Sequence, residues 1–293
     1  MSITPILSLS FILLLFGGEK NEPLRPSFQT GDDPKPSHAQ WQLVEALSDE
    51  FAGNSLDLSK WRNTDPHGWI GRAPGLFKKN TVSVDEGNMR ITNYKLSAPE
   101  THNGKEFTHA GGHLTSENKA QVGYYFEARM KAGKTFMSST FWLINYRNDS
   151  EGCDRRTTEL DIQECVGYIN NDAKWAKDFD QSMHSNTHSR NISCEEAKGS
   201  RGQNALTGGK VWEDYHTYGA WWKSPTEIQF FLDGKYLESV EPYADFDLPM
   251  HIKLVSETYD WNPVPADGGM NGSWEDRTTF YDWVRTWKLI PKK

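Results

Sequence analysis

The 293-residue chain has few cysteines and lacks a long run of basic residues. Its three cysteines, Cys153, Cys165 and Cys194, include no C-x-x-C pair and no cysteine–histidine spacing typical of zinc sites. At most one disulfide can therefore form within the chain. We predict that it joins Cys153 to Cys194 and that Cys165 is a buried thiol. The net charge of −8, with no run of Lys or Arg, argues against a nucleic-acid partner.

Long apolar runs are also scarce. The apolar stretch within MSITPILSLSFILLLFGG, residues 1–18, is too short to span a bilayer comfortably. It fits the apolar region of a secretory signal peptide, although no Lys or Arg precedes it. We therefore expect export to the periplasm or the medium, no membrane partner and a monomer. Residues 19–40, rich in proline and charge, are expected to be a linker, and residues 41–293 to form one domain.

Helical periodicity is almost absent, whereas strand patterns recur along the chain. Apolar and polar residues alternate in GYYFEARMKA, and SSTFWLINY is a near-continuous apolar run. The sequences DEGN and LDGK read as tight turns between strands. Many short strands without βαβ units predict an all-β fold of two large, packed antiparallel sheets with an open cleft on one face.

Aromatic residues are abundant at 13% of the chain, with 12 tryptophans. Tryptophan favours strands and can simply fill the core of a sheet. It also lines sites that bind flat, partly apolar ligands such as sugar rings. Composition alone does not separate these two interpretations.

The segment TTELDIQECVG, residues 157–167, concentrates carboxylates on one predicted strand. Side chains alternate along a strand, so Glu159 and Asp161 share a face, but a regular strand would turn Glu164 into the core. A buried, unpaired glutamate is costly. A β-bulge near Ile162 and Gln163 would return Glu164 to the face of the other two acids.

Three acids in one row can carry out acid–base chemistry. Neighbouring carboxylates raise each other's pKa, which lets one stay protonated while another is ionised. With the bulge, we expect the outer two carboxyls to lie roughly 5–6 Å apart, as in a retaining glycosidase. Glu159 would be the nucleophile, Glu164 the acid/base and Asp161 their helper. From spacing alone, a solvated acidic strand and a calcium site remain alternative interpretations.

ELDIQE resembles the E-x-D-x-x-E signature of glycoside hydrolase family 16, whose members cleave β-linked galactans and glucans with retention. LSDEFAGNSLDLSKW, GYYFEARMKA and FYDWVRTWK are similar to other strands of that family. The resemblance implies a concanavalin-like β-jelly roll, a sandwich of two curved antiparallel sheets with an open substrate cleft. It also implies the same roles for Glu159, Asp161 and Glu164, and no cofactor for catalysis.

HGWIGRAPGLFKKNTVSV resembles an early loop of the porphyranase and agarase branch of the family. In porphyranases a tryptophan and an arginine three positions later receive the 6-sulfate of the sulfated galactose, and Trp69 and Arg72 have that spacing. The resemblance implies a secreted endo-β-porphyranase that cleaves β-1,4 linkages in porphyran or in hybrid agar chains. A β-agarase and a non-catalytic galactan-binding jelly roll are the alternatives, since Arg72 could instead pair with an acid and Trp69 simply pack.

Further site residues are predicted from the alternation of side chains along the strands and from the resemblance. Trp142 resembles the family's aromatic platform near the scissile bond, and Glu257 and Trp261 match a segment that agarases use in their negative subsites. Arg156 precedes the signature strand and is a candidate to meet sulfate or to stabilise Glu159. His188 is a candidate contact for sugar hydroxyls or for Glu164, and a purely structural histidine is the alternative. The resemblance also implies a structural calcium on the convex face, held by three groups: Glu50, the backbone of Gly87, and Asp282.

Overall fold

The structure is a computed structural model that describes residues 24–190 and 199–292. Within these ranges the regular structure is almost entirely β, without an α-helix. The strands are β1 (Ala39–Leu43), β2 (Trp61–Arg62), β3 (Gly75–Phe77), β4 (Val82–Asp85), β5 (Asn88–Thr92), β6 (Tyr94–His102), β7 (Lys105–Ala120), β8 (Tyr124–Lys131), β9 (Ser138–Ile144), β10 (Thr157–Val166), β11 (Ser182–Arg190), β12 (Gly199–Leu206), β13 (His216–Ser224), β14 (Glu227–Leu232), β15 (Lys235–Val240), β16 (Met250–Ser256) and β17 (Thr278–Pro291). Short 3-10 helices lie at Glu45–Leu47, Lys79–Thr81, Arg147–Asp149 and Gly152–Asp154. No helix in the described ranges has the length and apolar character needed to cross a bilayer.

The strands pair into two sheets, as the sequence predicts. One sheet has the order β15-β14-β13-β8-β17-β5-β4, with β1 paired to β17. The other has the order β12-β11-β10-β9-β16-β7-β2, with β3 and β6 also paired to β7. All these pairs are antiparallel except the short pair of β3 with β7. The strand that carries the carboxylates, β10, lies inside the second sheet between β11 and β9.

Two predicted turns are confirmed. Glu86 and Gly87 join β4 to β5 with φ angles of 50° and 71°. Asp233 and Gly234 join β14 to β15 with φ angles of 49° and 75°. Two successive residues with positive φ match the right-handed twist of the flanking strands, which is why Asp/Glu-Gly sequences serve at these places.

The core lies between the two sheets. Leu160 and Ile162 of β10 belong to one buried cluster with Phe126 of β8, Trp222 of β13 and Tyr281 of β17. Each fully buried side chain of this kind stabilises the fold by about 1.5–3 kcal/mol. Because β10 commits its apolar residues to this side, its alternate residues face the opposite side of the sheet.

The segment before Trp41 contacts the domain. Phe28 packs against Tyr125 and Phe231, with ring centroids 4.5 and 5.0 Å apart. The amide of Ser27 also donates to Glu127 at 3.0 Å. This part of the expected linker, residues 19–40, is therefore docked on the first sheet. The predicted signal peptide, residues 1–18, lies outside the described residues.

The cysteines follow the predicted division. Cys165 is a free, buried thiol on β10, which confirms that prediction. Its Sγ lies 3.3 Å from the carbonyl of Ser139. Cys153 is disulfide-bonded. Cys194, its predicted partner, lies outside the described residues.

Candidate active site

A cleft of about 680 Å³ lies on the face of the second sheet that points away from the core. Its walls include most of the predicted site residues: Trp69, Arg72, Trp142, Glu159, Asp161, Glu164, His188, Glu257 and Trp261. Prediction from the sequence missed several other lining residues, among them Asp65, Lys105, Tyr146, Arg190, Lys253 and Tyr259. The concentration of ionisable and aromatic groups in one concave site is typical of a binding or catalytic cleft.

The predicted bulge is present in β10. Asp161 pairs with Trp142 of β9, but the next paired residue is Gln163, opposite Phe141, so Ile162 is the extra residue. Ile162 and Gln163 are both buried on the core side, while Glu164 lines the cleft together with Glu159 and Asp161. The bulge therefore places all three carboxylates on one face of the sheet, whereas a regular strand would turn Glu164 into the core.

The side chain of Gln163 joins the bulged segment to β11 beyond Asp161, where the backbone pairing of β10 with β11 ends. Its amide nitrogen donates to the carbonyl of Ser182 at 3.1 Å, and its amide oxygen accepts from the backbone N–H of His184 at 2.9 Å. The hydroxyl of Ser185 donates to the carbonyl of Ile162 at 2.7 Å. Buried backbone groups left without partners would be costly, so these side chains stabilise the bulged conformation.

Glu159 is paired with Arg190 at the end of β11. The two terminal nitrogens of Arg190 donate to the two carboxylate oxygens at 2.8 and 2.6 Å, a bidentate arrangement. Burial raises the pKa of Glu159 above its ordinary value, and the charge and hydrogen bonds of Arg190 oppose that rise. Arg190 is therefore the group that favours an ionised Glu159.

Asp161 lies at the centre of the carboxylate row. Burial, then the charges of Glu164 and Glu159, raise its pKa well above the ordinary value. His188 Nε2 lies 3.2 Å from its Oδ2, and burial together with the charge of Arg190 lowers the pKa of His188 to about 4. The two shifts both favour the uncharged forms of this pair.

The same neighbourhood contains a candidate set of metal ligands. Ligand atoms of Glu159, Asp161 and His188 all lie within 4.8 Å of one another. Both oxygens of Glu159, however, already accept hydrogen bonds from Arg190. A bound cation would have to displace this arginine, so the arrangement fits an ion-paired carboxylate better than a metal ligand.

Glu164 has a different environment from its neighbours. The hydroxyl of Tyr259 donates to its Oε1 at 2.8 Å, and His184 Nδ1 lies 3.8 Å from its Oε2. Burial raises the pKa of Glu164, but the contact and charge of His184 and the Tyr259 hydrogen bond outweigh it and lower the pKa. The three carboxyls therefore titrate differently although they share one face, which allows them to hold different roles.

Trp69 and Trp142 form an aromatic wall beside the carboxylates. Trp142 pairs directly with Asp161 across the sheet, and its ring meets that of Trp69 edge to face with centroids 6.1 Å apart. Trp69 also contacts Phe77 and His113 edge to face, at 4.7 and 5.5 Å. Edge-to-face contacts with three neighbouring rings hold the indole of Trp69 in place.

Arg72 is paired with an acid from the loop after β16. Its Nε donates to Glu257 at 3.0 Å, and its side chain is 44% exposed and also lies 3.7 Å from Asp260. Burial raises the pKa of Glu257 to about 7, against the opposing effect of Arg72. Arg72 therefore pairs with an acid, as the alternative interpretation of the sequence allowed, and it also lines the cleft.

Arg156 is placed differently from the prediction. Its side chain is 2% exposed and donates to Asp154 at 2.7 Å and to Asp247, away from the cleft lining. The candidate role of meeting sulfate or Glu159 is therefore wrong for Arg156, because its guanidinium is buried and used to hold two loops. Arg190, 31 residues after Glu159, takes the place beside that carboxylate.

A buried lysine in the cleft floor was also missed. Lys253 is 0% exposed and donates to Asp65 at 2.8 Å, to Thr115 at 2.7 Å and to the hydroxyl of Tyr146. Burial lowers the pKa of Lys253 to about 8, and the pKa of Asp65 falls to about 2 because the lysine outweighs burial. A lysine within the apolar strand MHIKLVS was the available signal.

The predicted calcium ligands are engaged by arginines. Both oxygens of Glu50 accept from Arg285 at 2.8 Å, and Asp282 accepts from Arg129 at 2.6 Å. Gly87 lies in the turn between β4 and β5. As arranged, these residues do not fit a calcium ion, because both carboxylates have cationic partners. Calcium binding there stays a prediction and would require those arginines to withdraw.

Comparison with known proteins gives a consistent result. A family model described as the GH16 domain of β-porphyranases A to D matches residues 41–289. β-Porphyranase B of Zobellia galactanivorans is 57% identical over 270 residues, which cover 92% of this chain and 92% of that protein. β-Porphyranase B of Phocaeicola plebeius is 40% identical over 284 residues, covering 87% of each chain. The crystal structure of porphyranase B from Zobellia galactanivorans superposes with a TM-score of 0.89, covering 91% of this chain and 100% of that one.

Proposed function

Because the chain belongs to the family of β-porphyranase A–D GH16 domains, we propose that it is a secreted, endo-acting retaining glycoside hydrolase that cleaves β-1,4 linkages in porphyran. The observation that carries the proposal is the bulge in β10. It brings Glu164 to the cleft face that Glu159 and Asp161 already occupy. A retaining mechanism needs two carboxyls on one face of the cleft, one as the nucleophile and one as the acid/base.

In the first step, Glu159 attacks the anomeric carbon and forms a covalent glycosyl-enzyme, while the bond to the leaving oxygen breaks. Glu164 donates its proton to that oxygen. In the second step, Glu164 takes a proton from water, which attacks the same carbon and releases Glu159. Arg190 favours the ionised Glu159 that attacks, since its guanidinium opposes the rise in pKa that burial causes.

Glu164 must be protonated when the substrate is bound. In the substrate-free cleft, His184 and Tyr259 hold its pKa below the ordinary value. Burial is the effect that raises its pKa, and a sugar lying over Glu164 excludes more water. Substrate binding thus favours the protonated acid that the first step needs. Asp161, whose pKa is raised by burial and by the two neighbouring carboxylates, lies beside the nucleophile and acts as a positioning residue.

The anionic substrate is supported by the placement of Arg72. Its Nε is used by Glu257, but its side chain is 44% exposed in the cleft and carries further N–H donors. A planar guanidinium suits the oxygens of a sulfate, and the neighbouring indole of Trp69 offers an apolar face to the ring. Other features are consistent with a sulfated galactan chain, among them Lys105 and Trp142 in the lining.

The catalytic assignment is tested with Glu159→Gln. We expect hydrolysis of porphyran to fall by at least about a thousandfold, because the nucleophile is removed, while binding persists. The matched control is Glu106→Gln, an exposed glutamate on β7 outside the cleft lining. Hydrolysis at the unmodified rate in Glu159→Gln would overturn the assignment. If the unmodified protein binds porphyran but does not hydrolyse it, the chain would instead be a galactan-binding jelly roll.

One observation favours the second candidate, a β-agarase on neutral agarose. Arg72 already lies close to Glu257 and Asp260, so these carboxylates partly neutralise its charge without a sulfate. An assay of both polysaccharides with Arg72→Ala separates the two readings. Loss on porphyran alone supports the porphyranase, whereas cleavage of agarose that is preferred and insensitive to the change supports the agarase. Arg62→Ala, an exposed arginine on β2 paired with Glu117, is the control.

A further inference from the structure

Trp175 is an exposed tryptophan at the edge of the cleft, and it has no role in the proposed reaction. Its side chain is 59% exposed, in the connection between β10 and β11. Its ring meets Trp261 edge to face with centroids 5.1 Å apart, and meets Phe179 in the same way at 5.9 Å. These contacts hold the indole in place, and its exposure leaves aromatic surface open to solvent.

The aromatic group that includes Trp175 is continuous with the carboxylates. Trp261 lines the cleft and stacks on Tyr259, with centroids 5.5 Å apart and planes inclined by 24°. The hydroxyl of Tyr259 in turn donates to Glu164. A chain of three rings therefore leads from the proposed acid/base outward to Trp175, beyond the lining of the cleft itself.

The backbone beneath these rings is fixed. The buried side chain of Asn262 donates to the carbonyl of Tyr168 at 3.0 Å and to that of Phe136 at 2.8 Å, and accepts from the amide of Asn170 at 2.7 Å. Asn171 donates to the carbonyl of Trp261. The loops that carry Trp175 and Trp261 are thus tied together before any ligand binds, which lowers the entropy cost of using them as a binding surface.

We propose that Trp175 forms an additional sugar subsite next to Trp261, in which its exposed indole covers the apolar face of one galactose unit of the bound chain. The inference rests on the proposed function, because the occupant is a further unit of the same polysaccharide. A sugar ring presents C–H groups on one face, and an indole held open beside a polysaccharide cleft matches that chemistry. The subsite extends the cleft on the Glu164 side, along the ring series from Tyr259.

The test measures binding as a function of ligand length. Trp175→Ala and Trp175→Phe are made in the inactive Glu159→Gln protein and titrated calorimetrically with porphyran oligosaccharides of increasing length. We expect Trp175→Ala to weaken the longest ligands roughly tenfold and to leave the shortest ones unchanged. Trp175→Phe should restore most of the loss. Trp274→Ala, a 45% exposed tryptophan outside the cleft lining, is the control and should match the parent.

Two results would overturn the subsite. Equal weakening of short and long ligands would mean that Trp175 only supports Trp261, and no weakening would mean that it touches no sugar. The proposed function is judged separately, by hydrolysis with the unmodified protein. An enzyme that cleaves porphyran while Trp175→Ala binds long ligands normally refutes the subsite alone. A protein that binds no oligosaccharide of the series refutes both.

Discussion

Arg190 is expected to set the acidic limit of activity through Glu159. Two unit charges about 4 Å apart interact by about 1 kcal/mol in bulk water and about 4 kcal/mol near a protein surface. The Arg190 side chain is 47% exposed, while Glu159 is nearly buried. Allowing for screening by solvent, we take about 2 kcal/mol for the pair. That free energy corresponds to a factor of roughly 30 in the ionisation equilibrium of Glu159.

Arg190→Gln should therefore raise the pKa of Glu159 further, because burial then acts unopposed by this charge. The nucleophile works only when ionised, so activity is lost as the pH falls through that pKa. We expect kcat/KM to drop roughly 30-fold on the acidic side of the profile and to recover towards the parent value on the alkaline side. The measurement is kcat/KM on porphyran oligosaccharides across the pH range, by release of reducing ends.

Two companion variants sharpen the Arg190 test. Arg190→Lys keeps the positive charge but loses the bidentate contact, and should shift the acidic limb less than Arg190→Gln. Arg201→Gln changes an exposed arginine on β12 that lies outside the cleft lining, and should leave the profile unchanged. A loss in Arg190→Gln that is the same at every pH would refute the reasoning, because it would show that Arg190 acts on the substrate and not on the ionisation of Glu159.

Two more predictions concern the bulge and the arginine of the cleft. Gln163→Leu should reduce the free energy of unfolding by about 3 kcal/mol, because the buried carbonyl of Ser182 and amide of His184 lose their partner; urea unfolding measures this. As the pH falls through about 7, Glu257 becomes protonated and releases Arg72, so KM for porphyran should fall about threefold. In Glu257→Gln this change of KM near pH 7 should be absent.

Each of these two predictions has its own check. Gln42→Leu alters an exposed glutamine on β1 and should change the unfolding free energy by no more than about 0.5 kcal/mol. A loss in Gln163→Leu as small as that in Gln42→Leu would show that the amide does not stabilise the bulge. For Glu257, the same dependence of KM on pH in Glu257→Gln would assign the titration to another group.

The sequence by itself determined the fold class and the carboxylate row. Period-two alternation and Asp/Glu-Gly turns specify strands and hairpins locally, so two packed sheets could be predicted without long-range information. The bulge near Gln163 could also be predicted, because an unpaired Glu164 in the core costs too much. Trp69 and Arg72 of the early loop were identified through the resemblance of that loop to the porphyranase and agarase branch, and both line the cleft.

Only the tertiary structure decided which charges meet. Arg156 is close to Glu159 in sequence but is buried against Asp154 and Asp247, while Arg190 arrives beside Glu159 from the neighbouring strand. Glu50, Lys253 and Tyr259 likewise have partners far away in the chain. A strand pattern fixes the face on which a side chain lies, but the pairing of strands and the course of loops fix its neighbours. The pKa of a carboxyl depends on those neighbours and on burial, so the different pKa shifts of Glu159, Asp161 and Glu164 required the folded protein.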